Sequence, residues 1–297
     1  MGVIELFKDL TTEFASLVEF QARFYSEEAC ADYLFAQKWP CGFICSRCSH
    51  TLAFRIDTRR LPLYQCIHCH YQASPTVGTI MESSSTDLRK WFTALFLVSS
   101  TESSVHALRL SKLIQVTYKT AWLMLRKIRQ SITQADHSVK LTGTVYVDEG
   151  KCGKPWTNNF YFEADEFPVL VGIAIDDQNQ PTYVKIQMVP KSDYTDTDIL
   201  PRAICAFHDT HVDDEATMTH SARVRMKRKD MRGYPTFKKA KTWIKKTFRG
   251  LAQHHLQHYW NEFCWRVNSK FHNQSPFESL LNLCAFTPSS LYANLVK

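Results

Sequence analysis

Two cysteine pairs, Cys45-Ser46-Arg47-Cys48 and Cys66-Ile67-His68-Cys69, stand seventeen residues apart, and nothing else in the chain restricts its local fold as tightly. Each CxxC turn can aim two thiolates at one point. Two such turns joined by a hairpin over residues 52–64 therefore form a tetrahedral site for one Zn²⁺, with metal–sulfur distances of about 2.3 Å. A site of this kind contributes folding free energy directly, on the order of 10 kcal/mol or more, to a segment with little core of its own. Redox-active pairs or disulfides are the competing readings. Cys41, His50, His68 and His70 lie close enough to substitute as ligands, but the symmetrical set needs none of them.

The 297 residues are 44% hydrophobic and 22% charged, enough to fill the cores of roughly two domains at ~150 residues each and too apolar for a wholly disordered chain. The longest apolar stretch, Trp91–Val98, falls short of the ~20 residues that span a bilayer. The opening segment carries Glu5 and Asp9 where a signal peptide is basic and then apolar. These features lead us to expect no membrane partner and a cytoplasmic location. The formal charge is +7, yet between Ala222 and Gly250 Arg223, Arg225, Lys227, Arg228, Lys229, Arg232, Lys238, Lys239, Lys241, Lys245, Lys246 and Arg249 face the single acid Asp230. So dense a block repels itself unless a polyanion compensates it, and a phosphate backbone is the commonest such partner; a solvated basic face is the plainer alternative.

Along the chain, residues 6–37 read as helical, ending before Pro40 and Gly42. A core helix over 86–97 starts at a Thr86 or Ser85 cap and buries Leu88, Trp91, Phe92, Leu95 and Phe96. Residues 103–132 outline a helix-turn-helix with a break at 115–117 and an inward stripe of Ala121, Leu125 and Ile128; Lys119, Arg126 and Arg129 fall on its polar side. Beyond Asp136 the texture changes to strands over 144–148, 169–175 and 183–188, an antiparallel meander turning at 176–181. A helical segment after Asp198 and another over 241–267 complete an α/β domain.

Several strings now become specific together. Tyr64-Gln-Cys66-Ile-His-Cys69-His-Tyr-Gln72-Ala-Ser74-Pro-Thr76-Val-Gly78-Thr79 resembles the zinc-ribbon signature of bacterial insertion-sequence transposases of the fifteen-ninety-five group. Residues 116–129 are similar to that group's second characteristic segment, and Val145-Tyr-Val147-Asp148-Glu149 through Gly153 resembles its nuclease motif. Lys241-Thr-Trp243 through Gly250, with His255-Leu256-Gln257 through Asn268, resembles its closing pattern. The likeness runs from about Tyr25 to Asn268.

The resemblance implies an N-terminal helical segment (1–40), a zinc ribbon (41–80), a helix-turn-helix-like DNA-binding region (81–135), a ribonuclease-H-like, ISXO-two-like DDE transposase domain (140–270) and a C-terminal tail (271–297). The implied activity is metal-dependent DNA cleavage and strand transfer at the terminal inverted repeats of an insertion sequence. Its partners would be the double-stranded element ends and target, with a homo-oligomer on DNA in a bacterial, nucleoid-associated setting. Two Mg²⁺ or Mn²⁺ ions held by three oxygen-bearing side chains would activate the attacking hydroxyl and stabilise the leaving one. Asp148 matches the first carboxylate, with Glu149 in support, and Asp214 the second, with Asp213 as its alternative. Lys239 occupies the third position; it removes a ligand and adds a cation, which at ~4 Å and an effective dielectric of ~20 repels each unit of like charge by about 4 kcal/mol. Three expectations follow: a catalytically inactive copy, a site completed by Glu215 or Glu262, or a different register for the third position. The rival reading is a non-catalytic, zinc-dependent DNA-binding regulator derived from a transposase. Both readings use Lys119, Arg126, Arg129, Arg223, Arg225, Lys227, Arg228, Lys229, Lys245 and Lys246 against phosphate.

Overall fold

Serine side chains set where the first helices begin. Ser16 accepts a hydrogen bond from the Glu19 N–H and Ser26 from the Ala29 N–H, the N-cap geometry that starts a helix. The stretch read as one helix is consequently divided into α1 (Leu17–Arg23) and α2 (Glu27–Lys38). This computed structural model describes residues 16–100, 104–154, 162, 165–221, 231–248, 251–272 and 275–289. The chain divides into two units, Met1–Ser131 with Ser275–Lys297, and Ile132–Gln274.

In the first unit, β1 (Ala53–Ile56), β2 (Leu63–Cys66) and β3 (Gln72–Ala73) form an antiparallel sheet in that order. Helix α3 (Leu88–Ser100) follows; Asp87, rather than Thr86 or Ser85, caps it, taking the Arg89 N–H at 2.7 Å. Helices α4 (Ala107–Ile114) and α5 (Tyr118–Ser138) are separated by Gln115 in the left-handed conformation, at φ 53°. Ala121, Leu125 and Ile128 are buried along α5. The last helix among the described residues, α9 (Pro276–Ala285), returns to this unit. Its Phe277 ring lies 5.1 Å from Phe20, which stacks on Phe96 at 4.4 Å. Residues 271–297, read from sequence as a tail, thus contribute an aromatic core residue.

The second unit is built on β4 (Thr144–Lys154), β5 (Asp165–Ile175), β6 (Pro181–Met188) and β7 (Thr217–Ser221), in the order β6-β5-β4-β7. The first three form an antiparallel meander. Helix α6 (Pro201–His211) then carries the chain to β7, which runs parallel to β4 with Ser221 beside Asp148. Val147 is paired with Gly172, where a Cβ would come within 2.7 Å of Phe207 on α6. Gly150 is likewise tight against Phe237 on α7 (Tyr234–Thr247). Because strand side chains alternate, Val147 and Glu149 look toward α6 while Asp148 and Gly150 look toward α7.

Helix α8 (Leu256–Phe271) covers the outer edge of β6. Asn268 takes the Val184 N–H at 2.8 Å and donates to the Val184 carbonyl at 3.0 Å. Gln257 takes the Met188 N–H at 2.9 Å and donates to the Ile186 carbonyl at 2.8 Å. Two amide side chains, three helical turns apart, thereby satisfy backbone groups that an edge strand would otherwise leave open. Replacing Asn268 by Ala strands a buried donor and acceptor, so we predict a loss of about 1–3 kcal/mol in urea unfolding, with a smaller loss for Gln257→Ala at the half-buried end.

Candidate functional site

The ribbon gathers its thiols by backbone geometry. The Ser49 N–H donates to the Cys45 carbonyl and the His70 N–H to the Cys66 carbonyl, and Ser49 and His70 both adopt left-handed φ values, 60° and 56°. The resulting turns bring Cys45 within 3.5 Å of Cys69 and Cys48 within 3.6 Å of Cys66, and all four sulfurs lie within 4.8 Å of one another. A regular tetrahedron of sulfurs around zinc has edges of about 3.8 Å, so the donor set fits the ion. Against the cost of desolvation, the peptide N–H groups of Arg47 and Cys48 and the adjoining thiols bring Cys45 down to about 7, which favours a thiolate. Trp39, Phe43, Tyr64 and Ala73 form the small core beneath, with Phe35 of α2 stacked on Tyr64 at 4.3 Å.

Asp148 is 1% exposed on the α7 side of the sheet. Its Oδ2 accepts the Gly233 N–H at the start of α7, and the Tyr234 N–H and Ser221, on the neighbouring rung of β7, also favour the charged carboxylate. Its Oδ1 has no hydrogen-bond partner. Burial raises its pKa, and the opposing pull of Gly233, Ser221, Tyr234 and the His220 charge does not cancel that rise. The close approach requires glycine at 233, where a Cβ would stand 2.9 Å from Val171 and 3.2 Å from Asp148 Oδ2. The arrangement is that of a buried carboxyl seated at a helix N-terminus, where unpaired N–H groups and the positive end of the dipole favour it.

The remaining acidic candidates lie elsewhere. Glu149 is on the opposite face, its carboxylate 3.1 Å from His220 Nε2. Asp213 takes the Glu215 N–H at 3.1 Å in a turn, and Asp214 is exposed, 3.7 Å from Lys140. This turn precedes Thr217, which pairs with Thr144, whereas Ser221 pairs with Asp148. The four residue steps between those rungs span about 13 Å, so the structure does not bring Asp148 and Asp214 together. Glu262 is fully buried and paired with Arg266 at 3.3 Å. Lys239 is exposed on α7. Among the described residues, the four cysteines form the one group of three or more His, Cys, Asp or Glu side chains close enough to share a metal.

Of the expected DNA contacts, Lys119, Lys245 and Lys246 are exposed, Arg126 is half-buried and Arg129 is buried. Arg223, Arg225, Lys227, Arg228 and Lys229 lie outside the described residues. Sequence reasoning missed Gly233, whose N–H pins Asp148, and Ser221, which lies beside it on β7. Only Gly233 left a trace, as the residue before a Tyr-Pro helix start.

Two outcomes are expected here. Full-length protein should bind one Zn²⁺, and Cys45→Ser or Cys66→Ser should abolish the sulfur-to-metal charge-transfer band of the Co²⁺-substituted form while lowering ribbon stability. For Asp148, a folded pKa raised above the unfolded value gives stability that is fully present below about pH 4 and is lost as pH rises through the folded pKa. Asp148→Asn should therefore flatten that decline, measured as urea midpoints across pH 4 to 7.

Residues 25–72 match the family model of the transposase zinc-ribbon domain. The chain is also 30% identical over 128 residues to an uncharacterised protein in transposable element ISH50 of Halobacterium salinarum, an alignment that covers 42% of each protein, so the chain spans under half the length of this relative. No solved structure matches. No helix among the described residues is long and apolar enough to cross a membrane. Through residues 25–72, with their four clustered thiols, the chain carries a transposase-type zinc ribbon.

Proposed function

We propose that this protein is a zinc-dependent DNA-binding protein built from transposase parts, in which the ribonuclease-H-like domain serves as a binding scaffold and not as a two-metal nuclease. The observation that carries this reading is the environment of Asp148. Its carboxyl is buried, one oxygen holds the start of α7, the neighbouring rung of β7 carries Ser221 instead of a carboxylate, and among the described residues Asp148 belongs to no group of three or more His, Cys, Asp or Glu side chains close enough to share a metal. Mg²⁺ demands near-octahedral oxygen coordination with water and phosphate access, and this donor set does not fit it. The ribonuclease-H-like assignment is supported by the antiparallel meander β4-β5-β6, followed by a helical crossover to β7 parallel to β4. DNA as partner is supported by the transposase zinc ribbon, the α4–α5 pair with exposed Lys119 and Tyr118, and the basic block of residues 222–250.

The test pairs two measurements on zinc-loaded full-length protein. Calorimetric titration with Mn²⁺ should give no binding heat that depends on Asp148, comparing wild type with Asp148→Asn. Fluorescence anisotropy with a labelled duplex should show affinity that falls steeply with salt. Strand cleavage or joining in Mn²⁺ that disappears in Asp148→Asn would overturn the scaffold reading in favour of an active transposase.

A further inference from the structure

The helix that Asp148 anchors carries a pattern that its packing does not explain. Helix α7 contains Lys238, Lys239, Lys241, Lys245 and Lys246 and no acidic residue. Phe237, Ala240 and Trp243 form its buried face. Lys241 turns inward, its ammonium donating to the Lys151 carbonyl at 2.8 Å. Lys238, Lys239, Lys245 and Lys246 are exposed, with exposed Thr242 among them. At about 100° per residue these positions occupy an arc of roughly 120°, and the stripe runs about 12 Å along the axis.

The spacing within the stripe is selective. Lys238 and Lys245, and Lys239 and Lys246, are each seven residues apart, so both pairs share a face while every pairing avoids the i,i+3 and i,i+4 separations at which like charges repel most. Lys245 and Lys246 sit in the last turn, where the helix dipole favours a cation, while Lys238 and Lys239 lie in the second turn with no such support. A solvated surface helix usually interleaves both signs. One sign alone on an outward arc fits a negative surface lying across it.

From this we infer that the outward face of α7 is a phosphate-binding stripe for duplex DNA, with Lys239 a member of it. The inference rests on the DNA-binding reading above and adds the surface that makes the contact. A duplex carries one negative charge per about 1.7 Å of axis over both strands and per about 3.4 Å on one, so a stripe of about 12 Å lying along one strand meets about four phosphates, matching four lysines. Contacts of this type position the protein without reading sequence. Thr242, centred between the lysine pairs, supplies a hydroxyl suited to the same backbone.

The experiment compares wild type, the quadruple variant Lys238→Gln, Lys239→Gln, Lys245→Gln, Lys246→Gln, and a control carrying Lys140→Gln, Lys191→Gln and Arg202→Gln, all full-length and zinc-loaded. Glutamine keeps helix propensity, and urea midpoints confirm folding. Duplex affinity is read by anisotropy between 50 and 300 mM salt. Each lost phosphate contact removes about 0.9 from the slope of log K against log[salt], so the quadruple variant should flatten it by about 3 to 4 and bind more than about tenfold weaker at 100 mM, with the control near wild type. Wild-type binding with an unchanged slope in the quadruple variant would overturn the stripe and leave the DNA-binding reading standing. Absence of any salt-sensitive duplex binding by wild type would remove both. Tighter, equally lysine-dependent binding to single-stranded RNA of the same length would overturn the duplex assignment.

Discussion

A carboxyl withdrawn from water at the start of a helix holds the second unit together on the side where chemistry is expected. Asp148 lies inside the sheet's α7 face, and its binding of the Gly233 N–H decides where α7 begins. Gly150 and Phe237 then bring the helix flat against β4. Burying a charge is costly, and this cost raises the pKa of the carboxyl despite the hydrogen bond from Gly233. One oxygen of this side chain is committed to the protein's own backbone, while the other has no hydrogen-bond partner.

At the opposite margin of the sheet, a run of polar residues serves packing. Gln257, Asn261, Glu262, Arg266 and Asn268, in the segment that resembles the closing pattern of the transposase group, each have a structural task. Gln257 and Asn268 close the β6 edge, Glu262 pairs with Arg266, and Asn261 links Gln257 to Thr133. Polar residues so placed are expensive to bury singly and stable only as a set with every group satisfied.

Some of this was legible before any coordinates. The CxxC spacing marks the thiol cluster because two turns of fixed geometry leave little freedom, and the period-two texture of 144–148 and 183–188 marks strands because one face must be apolar. The break at 115–117 appears where the chain turns left-handed. What escaped the sequence depends on partners distant in the chain. Ser26 looks like any serine until its hydroxyl caps α2. Ser221 has no signature, since only the parallel register of β7 sets it beside Asp148. Asp214 looks more promising than Ser221 because acidity is visible in a sequence and register is not.

The return of α9 to the first unit has a consequence for biosynthesis. Phe277 completes a cluster with Phe20, Phe24 and Phe92, although more than 180 residues separate it from the last of these. On the ribosome, the whole of Ile132–Gln274 emerges and can fold before the opening segment meets its final aromatic neighbour. The zinc ribbon needs no such wait, because its four thiols lie within twenty-five consecutive residues, and so metal capture can give the nascent chain a fixed point long before its oldest helices settle.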